Sequence, residues 1–217
     1  MFEGCFGYSP WQVLNNVAAV PAQRPALPDS GPVLTLAYMG SINSYYEDVV
    51  RRVVDELDAL RGSVTVDAYS PERLLPPTPS WRYRDPVPLA QVPQVLSGYH
   101  AALLLSSFED RHRSLAETSL ASKIADYAAA ARPIFYVGPG YSANAREVSR
   151  FNMGEVMTSQ ERGKLASRLT NLIDQPAKLE QWALAAWRYA SSERDPKRQR
   201  SLLWGTLAAS GRESSGM

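Results

Sequence analysis

Lys123 and Asp126 stand three residues apart, and Ser119 and Ser122 precede them, in the stretch ETSLASKIADYAAAARP over 117–133. On a helix that spacing puts two side chains on neighbouring parts of one face. A cation and two hydroxyls at a helix start suit a diphosphate. A carboxylate one turn further suits two ribose hydroxyls, which would both donate to it. On spacing alone, an ordinary surface Lys–Asp pair with capping serines fits equally well. A second anion-binding candidate is Gly40-Ser41, where an apolar run gives way to a helical pattern. A residue without a β-carbon lets backbone N–H groups approach an anion there, although a plain tight turn is the simpler reading of that pair by itself. His112 and Arg113 lie in the polar stretch FEDRHRSLAETS and are candidates for contact with a bound ligand or for plain solvent exposure. Arg84 is a candidate for contact with a nucleotide base. His100 opens an apolar run and reads as structural, while Trp182 and Trp187 read as packing residues.

These residues need a scaffold. The run VLTLAYMG over 33–40 predicts a buried strand ending at Gly40. Tyr46, Val50, Val53, Leu57 and Leu60 recur at helical spacing after it, with Ser41, Asn43 or Ser44 as the cap. Further strands are predicted over 64–69, near 81–84, over 100–107, at PIFYVGPG and over 154–157. Helices are predicted at LAQVPQVLSGY, at LASKIADYAAAA and at SANAREVSRF, and 108–119 reads as a polar loop. Continuous apolar strands alternating with helices imply a parallel sheet covered on both faces. Ligands of such sheets bind beyond the carboxyl ends of the strands, so the loops after Gly40, Ser107 and Val137 are where chemistry is sought. The segment 1–32 is rich in Pro and Gly and reads as a leader and linker, 33–209 as one α/β lobe with C-terminal helices, and 210–217 as a polar tail.

Composition narrows the function. The chain has 217 residues, 45% hydrophobic and 21% charged, enough for one ordinary core. Lys plus Arg is 23 against 22 acidic residues, a balance that argues against binding nucleic acid by bulk charge. One cysteine, Cys5, permits no disulfide framework within the chain, and two histidines disfavour most zinc sites. No apolar run is long enough to span a bilayer and no signal peptide is evident, so a cytoplasmic location is expected, with at most peripheral membrane contact through the basic run ERDPKRQR. A P-loop, a G-x-S-x-G elbow, an H-E-x-x-H motif and an Asp-x-Asp pair are all absent.

The stretch SLASKIADYAAAARPIFYVGPGYSANAREV resembles the P-x-K-x-x-E-Y-x-A-A-G-[KR]-P-I segment of retaining GT-B glycosyltransferases. LTLAYMGSIN is similar to the first strand and loop of their C-terminal lobe, VLNNV to the segment joining the two lobes, and FNMGEVM to a late strand. The resemblance implies a Rossmann-like α/β lobe that binds a nucleoside diphosphate sugar and passes the sugar to an acceptor hydroxyl, with no cofactor and no bound metal. By position it implies that Asp126 is the ribose ligand. It also implies that the diphosphate is met by Gly40, Ser41, Ser119, Ser122 and Lys123. The first acidic residue of the family's E-x7-E motif falls at Thr118, with Glu117 one place before it, and Ala131 stands where the family has Gly. Arg84, His112, Arg113, Glu117 and Thr118 are thereby possible donor contacts. The histidine that the family usually places near the sugar belongs to an N-terminal acceptor lobe, expected to be absent from this chain, with a separate chain as a candidate source of it; no catalytic residue is assigned. Two alternatives remain: a nucleotide-sugar binding module without catalysis, and, less favoured, an epimerase of related fold.

Overall fold

The computed structural model describes residues 16–29, 31–158, 160 and 163–213; expectations on 1–15, including Cys5 and the start of VLNNV, and on 214–217 fall outside them. Six strands form one sheet in the order β3-β2-β1-β4-β5-β6: β1 (Leu34–Met39), β2 (Val64–Tyr69), β3 (Trp81–Arg84), β4 (Ala101–Leu105), β5 (Ile134–Val137) and β6 (Gly154–Met157). Every pairing is parallel. The chain therefore has the Rossmann-like α/β architecture that the apolar runs predict. The helices are α1 (Glu47–Asp58), α2 (Val92–Leu96), α3 (Arg113–Thr118), α4 (Lys123–Ala129), α5 (Ala143–Arg150), α6 (Lys164–Ile173), α7 (Pro176–Glu193) and α8 (Pro196–Glu213).

Alternation along the strands builds two cores. Leu34, Leu36 and Tyr38 of β1 face one layer with Val50, Val53 and Leu57 of α1 and Leu165 and Leu169 of α6. Ala37 and Met39 face the other, with Ile124, Tyr127 and Ala128 of α4 and Ala186 and Tyr189 of α7. Both faces of β1, β2, β4 and β5 are buried, which is why β1, β4 and β5 read as continuous apolar runs. Trp182 packs edge-on against Phe135 at 6.1 Å, as a packing residue should.

Two local features differ from the sequence reading. The stretch 108–119 is not simply a loop: α3 forms within it, held by an ion pair between Arg113 and Glu117 one turn apart at 2.9 Å and by buried Ala116. Before α1, a 3-10 turn (Ser44–Tyr46) intervenes, and Asn43 is its cap, accepting from the Tyr45 N–H at 3.0 Å. His100 is structural: its Nδ1 accepts from the Thr35 N–H at 3.1 Å, which leaves the proton on Nε2 facing the Asp29 carbonyl at 3.2 Å.

Chain order reverses between β1 and β4, so the crevice beyond their carboxyl ends is the switch point where this class of sheet takes ligands.

Candidate functional site

Two crevices open at that end of the sheet, on either side of the turn after β1. One, of about 280 Å³, is bounded by Met39, Gly40, Tyr69, Val87, Lys123 and Asp126. The other, of about 180 Å³, is bounded by Asn43, Tyr45, Tyr46, Ser106, Ser119 and Asn144. A larger cavity of about 510 Å³ lies on the flank, between α1 and the start of α6. There the Glu56 carboxylate already holds the Ala166 N–H at 3.1 Å and the Arg52 guanidinium at 3.4 Å. The site is therefore placed at the strand ends, where chemistry-bearing groups converge on the switch point.

Lys123 begins α4, and α4 is pinned to the end of β1 by the Met39 N–H, which donates to the Tyr127 hydroxyl at 2.9 Å. The Lys123 ammonium donates to the Tyr38 hydroxyl at 3.0 Å and lies 4.1 Å from the centre of the Tyr38 ring. Tyr38 in turn donates to the Ser41 carbonyl at 2.9 Å. Gly40 has φ 113°, and a β-carbon there would stand 3.2 Å from Lys123 Nζ. The glycine thus admits both the backbone conformation and the close approach of the amine. No carboxylate pairs with Lys123 among the described residues, and burial pushes its amine down to about 8. Asp126 is half-buried in the same crevice, its carboxylate has no hydrogen-bond partner among the described residues, and burial raises its carboxyl. No ion pair joins the two side chains.

The two serines divide between the crevices, Ser122 beside Lys123 and Ser119 across the turn. Neither caps a helix as the sequence suggests. Ser119 ends α3, and Ser122 starts α4 with no side-chain capping bond. The N–H groups of Ile124 and Ala125 already donate to the carbonyls of Ala121 and Ser122, at 3.2 and 3.1 Å. The segment between the helices is held by Asn144, whose Oδ1 accepts from the Ala121 N–H at 2.9 Å and whose amide donates to Ser106 Oγ at 3.2 Å.

Other candidates are engaged elsewhere. Arg84 lies 3.4 Å from the buried carboxylate of Asp67, which also accepts from Arg82 at 2.6 Å and from the Tyr99 hydroxyl at 2.7 Å. It lines neither crevice, because a buried carboxylate draws its guanidinium back along β3. Arg113 pairs with Glu117 and lies 4.5 Å from the centre of the Tyr141 ring. The Thr118 hydroxyl donates back to the Ser114 carbonyl at 2.8 Å. Arg113, Glu117 and Thr118 line neither crevice. His112 bonds Ser107 Oγ at 3.1 Å and stacks at 4.8 Å on Tyr45, a wall of the second crevice.

Gly40-Ser41 departs most from expectation as an open cradle. The Gly40 N–H donates to the Tyr69 carbonyl at 3.0 Å. The Ser41 hydroxyl and the Ile42 N–H donate to the Glu72 carboxylate at 2.8 and 3.2 Å. Sequence reasoning missed Glu72, as it missed Tyr38 and Asn144. The available signal was position: in a parallel sheet the residues just past every strand share one end, and Glu72 follows β2 by three residues.

No family model matches the sequence, and no curated protein matches it. Solved structures do match in fold. The glycosyltransferase WaaG, involved in lipopolysaccharide biosynthesis, aligns over 88% of this chain and 55% of its own, at 14% identity and a TM-score of 0.56. HepE from Anabaena, solved with UDP-glucose, aligns over 82% and 49%, at 14% identity and 0.61. The isolated C-terminal domain of the group 1 glycosyl transferase LpcC from Francisella tularensis aligns over 75% and 87%, at 9% identity and 0.53. The chain spans about half the length of the first two. It has the fold of one lobe of a GT-B glycosyltransferase, the lobe that LpcC places at the C-terminus.

Among the described residues no helix is long and apolar enough to cross a membrane, and no three His, Cys, Asp or Glu cluster as a metal site would.

Proposed function

We propose that this lobe binds a nucleoside diphosphate sugar and serves transfer of the sugar to an acceptor hydroxyl. One observation carries the reading: Lys123 and Asp126, each without a charged partner, stand together in one crevice at the switch point of the sheet. The nucleoside fits the crevice walled by Tyr69, Pro86 and Val87, with Asp126 accepting from the ribose hydroxyls. The diphosphate crosses the turn at Gly40, where the Lys123 ammonium meets its charge. The sugar enters the second crevice among Asn43, Ser106 and Ser119, which offer neutral donors and acceptors. HepE was solved with a UDP-sugar, which supports this class of donor.

In the reaction, the bond between the anomeric carbon and the diphosphate oxygen breaks, and the electron pair leaves with the diphosphate. The acceptor oxygen bonds to the anomeric carbon, and its proton passes to the departing diphosphate. Negative charge therefore grows on the diphosphate, and a preorganised ammonium next to it lowers the barrier. Acceptor binding and the opposing catalytic groups fall to a second lobe. No metal or cofactor enters this reading, and the location remains the cytoplasmic one expected from the sequence.

Calorimetric titration with UDP, GDP, dTDP and ADP tests the donor reading. Binding of at least one of them that is lost in a folded Lys123→Ala variant supports it. A turnover assay with and without a candidate acceptor lobe then separates a half-enzyme from a binding module: transfer only on adding the lobe supports the enzyme, and binding without transfer in any combination supports the module.

A further inference from the structure

The turn after β1 binds an anion already, and the anion is the protein's own. We propose that the Glu72 carboxylate is an internal occupant of the anion cradle at this turn, which an incoming phosphate must displace. The inference rests on the reading of the adjoining crevices as a donor site. Three neutral donors converge on Glu72: the Ser41 hydroxyl at 2.8 Å on Oε1, and the Ile42 N–H and the Ser70 hydroxyl, each at 3.2 Å, on Oε2. The Ser70 hydroxyl oxygen also accepts from the Ile42 N–H at 3.1 Å and the Glu72 N–H at 3.2 Å, which fixes the carboxylate to the turn.

Hydroxyls and a backbone amide around a turn are the donor set that non-bridging phosphate oxygens use. A carboxylate in that place satisfies the same donors. These hydrogen bonds, that from Ser41 foremost, hold its carboxyl below the usual range, so the occupant is charged at neutral pH. A phosphate oxygen brought to Ser41 and Ile42 would compete for their donors and repel the carboxylate. Lys123 lies on the other side of Gly40 and pairs with no carboxylate among the described residues, so Glu72 leaves that cation available. Inorganic anions without another anchor thus bind the turn only weakly. A ligand held by its nucleoside in the neighbouring crevice can move Glu72 aside.

The test is calorimetric titration of the full chain with sodium pyrophosphate near pH 7.5, with circular dichroism to confirm folding. Glu72→Ala is expected to bind pyrophosphate roughly tenfold tighter than the parent chain. Glu72→Gln should gain less, because its amide oxygen still accepts from Ser41, and it serves if the alanine variant does not fold. Adding Ser41→Ala to Glu72→Ala should abolish the gain. Unchanged or weaker pyrophosphate binding in the folded Glu72 variants overturns the proposal, as does a gain that survives loss of Ser41. The probe contains no nucleoside. Failure of the donor reading would show separately, as nucleoside diphosphates binding no better than pyrophosphate and as indifference to Lys123→Ala.

Discussion

Lys123 has an amine half-buried against two tyrosines and no counter-ion among the described residues, an arrangement that costs stability until an anion arrives. Lys123→Ala should weaken nucleoside diphosphate binding by about 1.5–3 kcal/mol, the scale of a charge-assisted hydrogen bond; calorimetry on the folded variant measures it. Asp126→Asn should weaken nucleoside diphosphates but leave pyrophosphate nearly unaffected, because only the nucleoside offers ribose hydroxyls. Equal losses would point to a local folding effect. The amine also has a pH signature. Its folded pKa of about 8 lies below the ordinary 10.5, so between those values the folded state has released a proton that the unfolded state keeps. Stability contributed at this site therefore rises with pH across that window. Lys123→Met removes the titration. Its stability relative to the parent should accordingly be most favourable at pH 7.5 and decline toward pH 10, in denaturant titrations at the two values. A constant difference would contradict the buried amine.

At the scale of elements, the strands were the most legible part of the chain. LTLAYM, AALLL and IFYV are apolar on both faces because helices cover both faces, and so short an apolar run between turn residues suits little besides a doubly covered strand. Helix α3 was less legible, since six residues carry too little periodicity to distinguish a helix from a polar loop. The Lys123–Asp126 spacing was visible because both residues lie on one short helix. Their setting was not, because Tyr38 reaches Lys123 across 85 residues and Glu72 reaches Ser41 across 31. The alanine that replaces the family's glycine, Ala131, does adopt a left-handed conformation, φ 53°, so the resemblance marked a real backbone requirement there. Gly154 was not singled out, yet it is the tightest point in the β5–β6 pair. A β-carbon on it would stand 2.0 Å from the Ile134 carbonyl oxygen. Gly154→Ala should cost about 2–3 kcal/mol by forcing the edge strand outward. Thermal melting and faster amide exchange confined at first to β6 would register it.

For the molecule as a whole, one buried arginine ties the segment before β1 to the sheet and helices. Arg132 follows α4 and is fully buried without a carboxylate against it. Its guanidinium donates instead to carbonyls: Ala130 at 2.9 Å, Tyr99 at 2.8 Å, Pro25 at 3.2 Å and Ala26 at 2.6 Å. Burial lowers it to about 10, still charged at neutral pH. Three separate parts of the chain thus meet on one side chain: the segment before β1, the turn before β4 and the end of α4. The planar fork of an arginine suits this, whereas a lysine offers three donors at one point. Arg24 and Glu180 form a second tie between that segment and α7, but Glu180 is half exposed, so that pair contributes less. Arg132→Met should cost at least about 2 kcal/mol, because the abandoned carbonyls lose their donor. It should also expose residues 16–29 to limited proteolysis while the sheet keeps its circular dichroism. Arg132→Lys should recover only part of the loss, and Arg24→Ala should shift stability by well under about 1 kcal/mol. If Arg132→Met left residues 16–29 as protected as in the parent chain, that segment would have to be held by its apolar contacts, such as buried Ala18, rather than by the guanidinium.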